Sequence, residues 1–149
     1  MTSAHNIRRI VAGAVIAAGI VAGIVLYWHD QPGARYEVEV GFAPLEQAFH
    51  DQRSEFMTEV SGTVVRILSA DRNQPQLQQF VIRLENGQSL LVVHDKSVAG
   101  DVPLAIDDAV TVRGQYKWSE TGGTVENTHH DPSIERRHGF LEHKGKRYQ

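Results

Sequence analysis

Val110-Thr-Val-Arg-Gly-Gln-Tyr-Lys-Trp118 alternates strictly. Val110, Val112, Gly114, Tyr116 and Trp118 fall on one side, and Thr111, Arg113, Gln115 and Lys117 on the other. A period of two is that of a β-strand with one face in a core and one face toward water. Working outward, Phe80, Ile82 and Leu84 alternate in the same way and run into Asn86-Gly87, a dipeptide that signals a type I′ hairpin. Residues 89–93 form the returning strand, apolar enough to be covered on both sides, and it ends at His94-Asp95. Val60-Ser-Gly-Thr-Val-Val-Arg-Ile-Leu68 is rich in β-branched residues and long enough to bend at Gly62. Gly122-Gly123 marks a second hairpin, followed by a last strand over residues 124–129. Leu104 and Ile106 lie in the connection from 96 to 108 and are expected to plug a gap in the core.

Five strands ordered as one long bent strand, a hairpin, a connection and a second hairpin predict an all-β fold, a small OB-like five-stranded barrel. Before it, Leu45, Ala48, Phe49, Gln52 and Phe56 recur at steps of three and four. That spacing predicts a short amphipathic helix with Pro44 as its first residue. The last twenty residues carry no clear period, and only Phe140 and Tyr148 are expected to hold this basic tail to the barrel.

The N-terminal end is of another kind. Residues 10–28 contain no charge and consist almost wholly of Val, Ile, Ala, Gly and Leu. A helix of that length spans about 28 Å, close to the hydrocarbon thickness of a bilayer. Arg8 and Arg9 precede it and Tyr27-Trp28 closes it, so it reads as a single transmembrane anchor. No small-residue cleavage site follows, which favours an anchor that is retained. The arginines place the N-terminus in the cytoplasm and the remaining domain in the periplasm or outside. Gly19 and Gly23 have the spacing that lets two such helices pack closely, a route to a homodimer. The expected organisation is a cytoplasmic N-terminus over 1–9, the anchor over 10–28, a linker over 29–43, and the OB-like domain with its leading helix and tail over 44–149.

Composition narrows the chemistry. The chain has no cysteine, which removes disulfides, thiolate-bound zinc, iron–sulfur clusters and thiol catalysis. Beyond the anchor the net charge is about −5, which points away from nucleic acid. The densest group of ionisable residues is Thr128-His-His-Asp-Pro132, with His94, His138 and His143 elsewhere. In an OB-like barrel the third and fifth strands are parallel neighbours, so His94, His129, His130, Asp131 and His138 are candidates for one site. His94, His129 and Asp131 could hold a divalent metal and activate water for hydrolysis of a phosphodiester or ester. The same Asp-Pro segment serves equally as a turn with its carboxylate on backbone amides. Arg66, Arg83 and Lys117 are the basic residues available on the face with which OB-folds hold ligands.

Val60-x-Gly-x-Val-Val, Phe80-Val-Ile and Asp108-Ala-Val-Thr-Val-Arg-Gly114 resemble an OB-fold, and small exported bacterial OB-fold proteins share the last of these. More narrowly, residues from about 48 to 149 resemble a bacterial family of short, membrane-anchored or exported proteins with no assigned activity. The resemblance rests on Gly62-Thr-Val-Val-Arg, Asn86-Gly-Gln-Ser-Leu-Leu, Thr128-His-His-Asp-Pro132 and Glu142-His-Lys-Gly-Lys-Arg-Tyr-Gln149. It departs from that pattern at Leu77-Gln-Gln-Phe80, where His-Gln-x-Phe is expected, and at Asn127, where an aromatic is expected. The resemblance implies fold and location. The leading expectation is therefore a membrane-anchored envelope module that binds a protein, peptide or glycan and catalyses nothing. The metal-dependent hydrolase is its alternative.

Overall fold

The computed structural model describes residues 37–133 and 136–149, which fall within one compact unit, Arg35–Gln149. The expected anchor, with Gly19 and Gly23, lies outside the described residues. Among the described residues, no helix is long and apolar enough to cross a membrane.

Among the described residues, eight strands and two short helices follow in the order β1 (Val38–Val40), α1 (Phe42–His50), β2 (Phe56–Ile67), β3 (Leu77–Arg83), β4 (Ser89–Asp95), α2 (Lys96–Ala99), β5 (Ala109–Lys117), β6 (Thr124–Glu126), β7 (Phe140–His143) and β8 (Lys146–Tyr148). The strands β2-β3-β4-β6-β5 are consecutive neighbours, and β5 pairs back onto β2, so the five close into a barrel. Within the barrel all neighbours are antiparallel except β4 and β6, which run parallel with Leu91 opposite Thr124. This is the OB-like barrel expected from the alternation.

The long strand β2 makes closure possible by serving two partners. Its first part pairs with β5, from Phe56 opposite Tyr116 to Thr63 opposite Ala109. Its last part pairs with β3, and the register shifts between Val64 and Arg66. An extra residue in one strand bends it and increases its twist. The bend therefore lies at a bulge just beyond Gly62. The inward residues Val60, Val64, Phe80, Ile82, Leu90, Val92, Val112, Tyr116 and Val125 make one buried cluster.

Several local expectations are corrected. Asn86-Gly87 does not form a type I′ turn, because only Gly87 has positive φ. Gly87 N–H donates to Leu84 O, and Leu84 N–H to Gln88 O. That is a type I turn followed by a left-handed glycine. The alternation through β4 is complete: Leu90, Val92 and His94 are buried, and Leu91 and Val93 only half-buried. In the β4–β5 connection Val102 is the buried plug, Leu104 packs partly against the core, and Ile106 is 51% exposed. Helix α1 starts at Phe42, two residues before Pro44, and ends at His50; Phe56 opens β2 instead of continuing the helical stripe. Leu45 and Ala48 are the helix residues that enter the core. The C-terminal segment is no loose tail. Strand β7 pairs with β5 and β8 folds back on β7, burying Phe140, Leu141 and Tyr148.

Candidate functional site

The parallel pairing of β4 with β6 carries His94 toward Thr128, two residues beyond the end of the short strand β6. His94 is 0% exposed. Its Nε2 lies 2.9 Å from Gly100 O and its Nδ1 2.8 Å from Thr128 Oγ1. A carbonyl only accepts, so Nε2 carries the proton and donates to it. The Nδ1 lone pair then accepts from the buried Thr128 hydroxyl. Burial pushes the His94 pKa below its ordinary value, the stronger influence, while the bond to Gly100 works against this. The ring is thus a neutral tie between β4, the loop after α2 and the end of β6.

Past Thr128 the loop is organised by Arg136 and Asp131. Asp131, 6% exposed, accepts at Oδ1 from Ser133 N–H (3.0 Å) and Ser133 Oγ–H (2.7 Å), and at Oδ2 from Arg136 N–H (3.1 Å). The Ser133 hydroxyl is the largest cause of its lowered pKa. The Arg136 guanidinium donates to Asn127 O at 3.2 Å and lies 3.2 Å from His129 Nε2. Guanidinium cannot accept, so His129 Nε2 must, and its proton sits on Nδ1, which is buried without a partner among the described residues. Desolvation, then Arg136, lower the His129 pKa. His138 Nδ1 accepts from Asp131 N–H at 3.1 Å, and its ring stacks on His130 with centroids 3.9 Å apart.

The candidates therefore do come together, though in three linked pieces: His94 with Thr128, His129 with Arg136 and Asp131, and His130 with His138. The acceptor atoms His94 Nδ1, His129 Nε2 and His138 Nδ1, and both oxygens of Asp131, are directed at the chain itself. Among the described residues no group of three or more His, Asp or Glu side chains is placed to hold a metal ion. His143 stands apart, its Nε2–H donating to Asp108 Oδ2 at 2.8 Å. Sequence reasoning singled out neither Arg136 nor Thr128 as the ties. Arg136 lies in the segment without a period, and its role depends on four groups spread over ten residues.

On the barrel's outer face, Arg66 and Arg83 are exposed, whereas Lys117 is bound to Glu126 at 2.5 Å. Tyr116 is fully buried, and Trp118 is partly buried with its indole N–H on Phe49 O at 3.0 Å. Neither ring is offered to a ligand.

The titration sign is definite. Both His94 and His129 have lowered values, so folding favours their neutral forms and the unfolded chain binds more protons. Their contribution is complete above the ordinary histidine value of 6.5 and is lost as pH falls from there through the lowered folded values. Thermal midpoints by circular dichroism should drop between pH 7.5 and 5, and His94→Gln should be less stable at pH 7.5 but flatter across that range. Parallel curves for the two proteins would remove His94 from this account.

The closed barrel with a β4–β6 parallel pairing defines the chain as an OB-like domain. It belongs to the family described as protein of unknown function DUF3465, which matches residues 33–149. No curated protein matches it. Among solved structures it is similar to a candidate nucleic acid-binding lipoprotein from Klebsiella pneumoniae, at 19% identity, with 66% of this chain and 93% of that one covered and a TM-score of 0.45. The hypothetical protein YgiW of E. coli is similar at 16% identity over 60% of this chain and 83% of its own, with a TM-score of 0.40. The S. pombe Stn1–Ten1 complex is similar at 14% identity over 60% of this chain and 70% of that chain, with a TM-score of 0.34.

Proposed function

We propose that this chain is a binding module of the cell envelope, held at the cytoplasmic membrane by residues 10–28 with its OB-like domain outside, and that it catalyses no reaction. The observation that carries the binding reading is the outer face of β3 and β4. There Val81, Leu91 and Val93 alternate with buried residues and, with Leu77, remain half-exposed, flanked by the exposed Arg66 and Arg83. Val81 lies opposite Leu91, and Arg66 opposite Val81, so aliphatic and cationic groups share one surface. A peptide or an envelope protein suits such a surface. Single-stranded nucleic acid calls for aromatic platforms, and no aromatic residue lies on the outer face of these two strands. Gly19 and Gly23 would serve a pairing of anchors.

The hydrolase alternative, centred on His94, His129 and Asp131, finds less support. Using His94 as a ligand or base would cost its bond to Gly100 or Thr128 and leave that group buried and unpaired.

The absence of native cysteines makes the topology testable. In spheroplasts, Gln149→Cys should react with a membrane-impermeant maleimide and Ser3→Cys should not. Equal labelling of both, or of neither, would sink the anchor reading. For the binding reading, a photo-crosslinking residue at position 81 of the full chain should give a discrete adduct that Leu91→Asp abolishes. Absence of any adduct, or one indifferent to Leu91→Asp, would count against that face.

A further inference from the structure

Residues two apart on a strand point to the same side. Val81 and Arg83 therefore share the outer face of β3, and Val81 lies between Arg66 on β2 and Leu91 on β4. Arg66 and Arg83 are diagonal neighbours across the β2–β3 pair, close enough for like charges to repel. Lys96 follows β4 directly, at the Leu77 end of the same face, with its N–H on Gln76 O at 2.9 Å.

Elsewhere on the domain the chain neutralises its own cations. Arg53, Arg113, Lys117, Arg136, Lys144 and Arg147 each hold a carboxylate, Lys146 lies over the Tyr148 ring, and Arg137 is engaged as well. Among the described residues, the basic side chains without an ion pair, hydrogen bond or ring contact are Arg66, Arg72, Arg83 and Lys96. All four are on β2 to β4 or on the segments directly attached to them. The nearby carboxylates do not pair with them. Asp95 accepts from Ser97 N–H and Oγ–H, while Glu85 and Asp107 line a cleft with Arg83 without bonding to it. A chain of net charge −3 thus gathers its unpaired cations around one aliphatic strip. The complement of that surface is a carboxylate beside an aliphatic side chain, since a guanidinium fork fits a carboxylate with two parallel bonds.

We propose that the β3–β4 face docks an acidic segment of a protein partner. Arg66 and Arg83 take its carboxylates, and Val81, Leu91 and Val93 take the aliphatic groups between them. This rests on the binding-module reading and adds the partner's chemistry. A nucleic acid would also bring negative charge, but its bases would meet aliphatic side chains where they need aromatic platforms.

The test uses the full chain in non-ionic detergent micelles and a fluorescein-labelled peptide amide of sequence Asp-Val-Glu-Leu-Asp-Val-Glu-Leu, read by fluorescence anisotropy. Saturable binding is expected, with a Kd on the order of 10 μM. Arg66→Gln and Arg83→Gln should each weaken it about five-fold, and the same peptide with Asn and Gln for its acids should bind at least about ten-fold more weakly. Neither arginine makes a bond within the fold, so unchanged thermal midpoints are expected for both variants. Arg147→Gln removes the same charge, but from a cation that Glu142 already holds, and should leave binding unchanged. Equal binding of the neutral peptide, an equal loss in Arg147→Gln, oligothymidylate bound as tightly as the acidic peptide, or no saturable binding would each overturn the proposal. The crosslink from position 81 tests the face without regard to the partner's charge. If it persists while the acidic peptide fails, only the acidic partner falls; if both fail, the binding module falls with it.

Discussion

Replacing Gly139 by alanine should cost about 3 kcal/mol, at the upper end for overpacking a fixed backbone. A methyl group there would overlap the Asn127 carbonyl and lie 2.8 Å from His129 N and 2.9 Å from Arg113 O. All three are backbone atoms, so no rotamer change relieves them. Gly139 N–H also donates to His129 O at 2.9 Å, which means that the methyl must part the strand leading into β7 from the His129 segment. A fall in thermal midpoint of about 10 °C is expected for a domain of this size. Gly145→Ala is the control. Gly145 has a φ of 75° but open space around it, so only the left-handed backbone penalty of about 1–2 kcal/mol applies. Equal losses in the two proteins would show that the loop can separate from β5 without cost.

Ending the chain after His138 should abolish cooperative folding. It removes Phe140, Leu141 and Tyr148, each worth about 1.5–3 kcal/mol when buried. It also bares the edge of β5 from Val110 to Arg113. The sum, about 6 kcal/mol, is as large as the whole stability of many small domains. Urea titration followed by near-UV circular dichroism should show no sharp transition. Leu141→Ala, a milder change, should keep the transition and lower stability by about 3 kcal/mol. A truncated chain with a midpoint near that of the full protein would show that β7 and β8 are an appendage.

These two expectations fall where the sequence was least legible. The strands β2 to β5 could be read because each keeps a run of alternating residues long enough to show its period. Strands β7 and β8 have four residues and three, joined by Lys144-Gly145, and so short a run shows no period. They are strands because β5 has an open edge beside β6 and because Leu141 and Tyr148 fill the cluster behind it. Strand β1 leaves no period in the sequence for the same reason: three residues pair with β2, while Val40 stays 68% exposed.

The candidate site was legible as a meeting place and illegible as a network. Strand order brings His94 near residue 128, and that follows from the barrel topology. Which lone pair faces which donor depends on loop geometry, and the choice of Arg136 to join Asn127, His129 and Asp131 left no spacing to find. The turn at Asn86 shows the limit in miniature. The residue pair announced a reversal, but the backbone chose the turn in which only the glycine bears positive φ.

The pairing of β2 with β5 has a kinetic consequence. It joins segments distant in sequence; the side chains of Glu55 and Gln115 bond across a separation of 60 residues. Until β5 has been made and delivered, one edge of β2 has no partner and its apolar side waits in water. Contacts of such long range pay their loop-closure entropy before they return anything, so closure should be the slow step and refolding should fall in the millisecond-to-second range. A newly made chain therefore passes through an interval with an exposed strand edge, which is when it would be open to capture by chaperones or by another copy of itself.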